Sequence, residues 1–213
     1  MARLLLLHGL GGTAATMGPL ADALAALGHE VHAPTLPGHG SEPAALLHTG
    51  WADWLAAASE WPCDVAVGQS MGGSLALALA ADGRCRAVVA INPPPPDPDA
   101  IDGLEWQQSR GIEWIDGPPL AEGEQGYTRL PIAALLEMVN GGLATDMSSV
   151  TQPVLLITSA LDEVVDPFSA DHVASLLLGD VTRLRLANSG HVATLGPEVA
   201  TIVAAVDEFV AAH

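Results

Sequence analysis

Basic residues are scarce in this chain of 213, with 7 against 25 acidic ones and a net charge of −18. A surface this acidic repels nucleic acid and anionic lipid headgroups, so neither is an expected partner. It also disfavours polyanionic substrates such as acyl-CoA unless the few arginines cluster at a site mouth. Cysteine is nearly absent, and Cys63 and Cys85, each expected at the start of a strand, are read as free core thiols. The eight histidines are scattered without HxxxH or CxxC spacing, so no metal is expected. Apolar runs are broken by Gly, Asp or Pro well short of a membrane span. Leu4-Leu7 is too short for a signal-peptide core, and cleavage after it would remove the first strand; the expected location is cytoplasmic.

What is present is a core-forming composition. Hydrophobic residues make up 49% and charged ones 15%, which excludes a disordered chain, and the length suits one domain, 1–213. Short apolar strands alternate with helical patterns, the signature of a parallel sheet covered on both faces. The expected strands are 3–7, 29–33, 64–67, 86–91, 154–158 and 181–186. In the last, Arg183 and Arg185 alternate with Leu184 and Leu186, which suits a half-exposed edge. Thr13 is positioned to cap a helix with Met17, Leu20, Leu24 and Leu27 at helical spacing, ended by Gly28. Trp51, Trp54, Leu55 and Ala58 share a face of a second helix, and Pro197 suits the first turn of a last one carrying Val199, Ile202, Val203, Val206 and Phe209.

Residues 93–152 break this rhythm. The segment opens on Pro93-Pro94-Pro95-Pro96, is rich in Gly and Pro, carries Trp106, Trp114 and Tyr127, and has one good helix pattern from Ile132 to Val139. It is too long for an ordinary strand-to-helix loop, so a lid inserted over a site is expected.

Three windows carry chemistry. Gly68-Gln69-Ser70-Met71-Gly72 follows the apolar run from Asp64 and opens a helix from Met71 to Ala81 that is apolar nearly all round, as a buried helix is. A Gly-x-Ser-x-Gly string is common enough by chance that context decides, and strand–turn–helix is the context a nucleophile elbow requires. Strand one runs into His8-Gly9-Leu10-Gly11-Gly12, which lacks both the dinucleotide glycine spacing and a phosphate-loop lysine. Beside an elbow it reads as half of an oxyanion hole. Asp162 and Asp166 follow the fifth strand and His191 follows the sixth, so Ser, Asp and His appear in order at one sheet edge.

With these windows in place the chain resembles the α/β-hydrolase family. The likeness lies in His8-Gly9-Leu10, Pro37-Gly38-His39-Gly40, Gly68 to Gly73, Asp162 to Pro167 and Gly190 to Leu195, and it is with bacterial carboxylesterases and monoacylglycerol lipases. It implies a three-layer α/β fold with a minimal, mostly parallel six-stranded sheet in the order 2-1-3-4-5-6, helices on both faces and a small lid. It further implies Ser70 as nucleophile, His191 as base and Asp162 as acid, with Asp166 the less favoured acid and Glu163 a solvated loop charge. Leu10 and Met71 would give oxyanion-hole N–H groups, their side chains free to line a pocket or enter the core. His8 and His39 are expected to hold loops, and Gly9, Trp106 and Trp114 are candidate substrate contacts. The implied activity is cofactor-free hydrolysis of short- to medium-chain or monoacylglycerol esters of small molecules. A thioesterase, lactonase or peptidase would use the same triad, and a non-catalytic binding module would keep only the scaffold.

Overall fold

The computed structural model describes residues 1–117, 119–120 and 123–213. Six strands form one sheet: β1 (Arg3–Leu7), β2 (Glu30–His32), β3 (Val65–Gln69), β4 (Ala87–Ile91), β7 (Val154–Ser159) and β8 (Val181–Leu186). Their spatial order is β2-β1-β3-β4-β7-β8, and every pairing is parallel. This is the expected 2-1-3-4-5-6 order once the small pair β5 (Trp114–Asp116) and β6 (Arg129–Pro131) is counted apart.

The alternation along each strand sorts side chains between two cores. Leu4, Leu6, Val65, Val67, Val89 and Ile91 face one way, onto Met17, Leu20 and Leu24 and onto Ile202, Val206 and Phe209 of α7 (Val199–Ala212). Leu5, Leu7, Ala66, Val88 and Ala90 face the other, onto α2 (Trp51–Ser59), α3 (Met71–Ala81) and α6 (Ser169–Leu176). The central strands are buried on both faces, which is why they read as continuous apolar runs. β8 lies at the edge, with Arg183 and Arg185 exposed and Leu186 buried.

Three boundaries differ from expectation. The first helix splits into a 3₁₀ turn, Ala14–Met17, and α1 (Gly18–Ala26), because Pro19 lacks the N–H that a continuous helix would need. At the other end Leu27 caps α1 and is exposed, with Gly28 turning the chain at φ 94°. Pro197 sits just ahead of α7 rather than in its first turn. α5 (Ile132–Ala144) runs on through Gly141, where any Cβ would collide with the Trp51 ring, so the glycine lets α5 settle on α2.

Residues 93–152 hold α4 (Asp99–Ser109), the β5–β6 pair and α5. Tyr127 ties this segment to the sheet edge. Its N–H donates to Gly11 O at 2.8 Å, and its hydroxyl donates to Gly38 O at 3.0 Å and accepts from Ser41 N–H at 3.1 Å.

Candidate active site

Ser70 stands between β3 and α3 at φ 57° and ψ −123°, a conformation that L-residues with a side chain rarely adopt. The glycines around it make that turn possible. A Cβ on Gly68 would run into the Gly72 carbonyl, and one on Gly72 into the Leu7 carbonyl. Helix and strands therefore approach backbone to backbone, and the Ser70 N–H continues the sheet by donating to Ile91 O at 2.8 Å.

His191 Nε2 lies 2.9 Å from Ser70 Oγ. On the other side of the ring, Nδ1 lies 2.9 and 3.0 Å from the two carboxylate oxygens of Asp162. A carboxylate only accepts, so Nδ1 carries the proton and Nε2 is left to accept the Ser70 O–H. Burial pushes the Asp162 carboxyl up, but the His191 hydrogen bond and charge, with the N–H groups of Val165 and Val164, hold it below its ordinary value. Asp166 instead accepts from Phe168 N–H at 2.9 Å ahead of α6, and Glu163 is an exposed loop residue at the cavity edge.

Gly9 O accepts from His8 Nδ1–H at 2.8 Å and from Gly12 N–H at 3.0 Å. In a trans peptide this turns the N–H of Leu10 the opposite way. The Met71 N–H, first in α3, has no partner within its helix. His8 is fully buried, and its Nε2 accepts from Leu36 N–H at 3.0 Å. Burial, reinforced by neighbouring His39, pushes its pKa down to about 3, so the ring stays neutral. His39 bonds Pro37 O at 2.9 Å, so both histidines hold loops as expected.

Beside Ser70 opens a cavity of about 540 Å³, in the range of small-molecule sites. Gly9 and Leu10 line it, as do Tyr127, Leu130, Leu135 and Met138 from the 93–152 segment and Leu161, Val192 and Leu195 from the loops after β7 and β8. The Met71 side chain is instead wholly buried in the core. Trp106 and Trp114 are not among the lining residues, contrary to expectation. Trp106 is 63% exposed on α4 near Arg110, and Trp114 lies under the Arg129 guanidinium at 4.9 Å.

Several residues of the site carry no motif signal. Asn92, buried at φ 47°, bonds both Ser159 and the His191 carbonyl. Glu198 accepts from the N–H groups of Ala187 and Asn188 and from the Ser189 hydroxyl, pinning the loop that leads to His191. The wall residues Leu130, Leu135 and Met138 are ordinary apolar positions in a sequence. Only the helical spacing after Ile132 hinted at a packed element there.

The model of the alpha/beta hydrolase family matches residues 4–205. The chain belongs to that family. Within the family it is 33% identical to the thermostable monoacylglycerol lipase of Bacillus sp. (strain H-257), over 98% of this chain and 90% of that one. It is 26% identical to the carboxylesterase of Bacillus subtilis (strain 168), over 91% and 86% of the two chains. A solved structure from the work on LipS and LipT, two metagenome-derived lipolytic enzymes, superposes with a TM-score of 0.88 at 29% identity, covering 99% of this hydrolase and 94% of that chain. The Paleococcus ferrophilus monoacylglycerol lipase, 18% identical with a TM-score of 0.76, shares the fold. Among the described residues no helix of this hydrolase is long and apolar enough to cross a membrane.

Proposed function

We propose that this α/β hydrolase cleaves carboxylic esters of small uncharged molecules through an acyl-Ser70 intermediate. The chain is a carboxylic ester hydrolase. The observation that carries the mechanism is the unbroken line Ser70 Oγ, His191 Nε2, His191 Nδ1 and Asp162 carboxylate, at 2.9 and 2.9–3.0 Å, beside an apolar cavity. His191 takes the Ser70 proton as the oxygen attacks the ester carbonyl, and Asp162 holds the imidazole tautomer and stabilises the imidazolium. The N–H groups of Leu10 and Met71 receive the oxyanion, a contribution commonly worth about 3–4 kcal/mol per donor. The tetrahedral adduct collapses, His191 gives its proton to the departing alkoxide, and alcohol leaves. Water then loses a proton to His191 and attacks the acyl-Ser70 carbonyl, which releases the acid and restores the hydroxyl. These steps need neither metal nor cofactor.

The leucine-rich wall and the cavity volume support short- to medium-chain acyl groups, monoacylglycerols among them. Residues 93–152 act as the lid within a single domain, supported by the wall residues that α5 and β6 contribute. The proposed setting is the cytoplasm, which suits two buried free thiols that burial pushes up to about 11 and 12. Rapid-quench mass spectrometry during turnover of a p-nitrophenyl ester tests the mechanism. The expected result is a peptide containing Ser70 heavier by one acyl group; turnover with the acyl group on another residue, or undiminished in Ser70→Ala, would overturn it.

A further inference from the structure

The main-chain carbonyl of His191 accepts two hydrogen bonds from buried side-chain amides. Gln69 Nε2–H donates at 3.1 Å and Asn92 Nδ2–H at 2.9 Å. Both side chains are almost fully buried, at 2% and 3% exposure. Gln69 is the residue before Ser70. Asn92 follows Ile91, whose carbonyl receives the Ser70 N–H. The two amides therefore reach the base from the same two strand ends that set the nucleophile.

Asn92 also reaches the acid. Its Oδ1 accepts from Ser159 N–H at 2.8 Å and its Nδ2–H donates to Ser159 Oγ at 2.9 Å. Ser159 ends β7 three residues before Asp162, and the Asp162 N–H lies 3.4 Å from its carbonyl. Oδ1 faces a donor while Nδ2 faces the carbonyls of His191 and Gly190, so one orientation of the amide alone satisfies the network. Asn92 is held for this at a positive φ of 47°, which asparagine tolerates better than most residues.

We infer that Gln69 and Asn92 are positioning residues: together they clamp the His191 main chain to the strand ends that carry Ser70 and lead to Asp162. The inference rests on the ester-hydrolase reading. The His191 ring makes its bonds to Ser70 and Asp162 through its own two nitrogens, but its Cα is placed by the 187–192 loop. A carbonyl gripped from two strands removes the rigid-body freedom of that loop. Displacements near 1 Å are enough to cost about 100-fold in rate.

The test compares Asn92→Asp and Gln69→Glu, nearly isosteric changes that replace an amide donor with an acceptor facing a carbonyl. Steady-state kinetics on a p-nitrophenyl ester, the rate of inactivation by a small fluorophosphonate, and the low-field proton NMR signal of the His191 Nδ1–H are read in parallel. The expected result is a fall in kcat of about 10- to 100-fold, with KM within about 2-fold. Phosphonylation should slow to match, and the Nδ1–H signal should shift or broaden. The double variant should lose less than the product of the single losses, because both amides serve one carbonyl. A kcat within 2-fold of wild type with an unchanged Nδ1–H signal would overturn the inference. So would a rise in KM at constant kcat, which would make Gln69 a binding residue of the cavity wall. If Asn92→Asp does not fold, Gln69→Glu and Gln69→Leu decide by the same readings. Ser70→Ala separates the two levels. A wild type inactive on every ester, or an active Ser70→Ala, sinks the hydrolase reading itself. Activity abolished by Ser70→Ala but indifferent to the amide variants sinks the clamp alone.

Discussion

Asp162 presents both carboxylate oxygens to Nδ1 of His191, at 3.0 and 2.9 Å, while Oδ1 also accepts the N–H groups of Val164 and Val165 at 2.8 and 2.9 Å. The acid is thus held by its own loop before it holds the base. Asp162→Asn should lower kcat by about 10³- to 10⁴-fold, because an amide no longer fixes the tautomer. Asp166→Asn, at the start of α6, should stay within a few-fold of wild type. Equal losses in the two variants, measured on one ester, would contradict the assignment.

The elbow depends on space as much as on the serine. Gly68→Ala places a methyl group where the Gly72 carbonyl lies, so β3 and α3 must separate. Thermal unfolding should show a large destabilisation, with turnover lost even in any fraction that folds. A melting temperature within about 2 °C of wild type would mean that β3 and α3 leave room for a Cβ at position 68.

His8 gives the molecule a pH-dependent stability with a definite sign. Its folded pKa is depressed from 6.5 to about 3 by burial, helped by His39. Above 6.5 both states hold the ring neutral and the full contribution is present. As pH falls from 6.5 toward 3 the unfolded chain takes up a proton that the folded one refuses, so stability is lost across that window. Urea titrations of wild type and His8→Asn should differ in slope there by up to about 1.4 kcal/mol per pH unit. Parallel slopes would mean that His8 titrates normally in the fold.

The cavity wall predicts where specificity resides. Trp106→Ala should leave KM unchanged, since that ring lies on the outer surface of α4 near Arg110. Met138→Trp should move the preferred acyl length of an ester series downward, because Met138 lines the cavity from α5. An unchanged length profile in Met138→Trp would place the acyl group elsewhere.

Local sequence patterns make the sheet legible, and the chain order puts Ser70, Asp162 and His191 at one sheet edge, where the structure brings their side chains within hydrogen-bonding distance. The continuous apolar runs of β1 and α3 mark those elements at the observed residues because both are buried on nearly every side, while the alternation in β8 marks an edge strand with one exposed face. The rest of the site is less legible because its residues act through apolar packing or bonds to backbone groups rather than through a motif. Trp106 and Trp114 drew attention as aromatics in an irregular segment, yet the wall is built by Tyr127, Leu130, Leu135 and Met138, whose positions depend on how β5, β6 and α5 dock. Asn92 and Glu198 bond across separations of 99 and 10 residues respectively, to backbone groups that carry no sequence signature. Such residues become visible only when the chain is closed.

Whether Ser70 is the nucleophile is decided by p-nitrophenol release across a p-nitrophenyl ester chain-length series, with Ser70→Ala run beside the wild type. Turnover should peak at a short or medium acyl length and fall by at least about 10⁴-fold in Ser70→Ala, with the variant still folded. A loss of only a few-fold in Ser70→Ala would contradict that role.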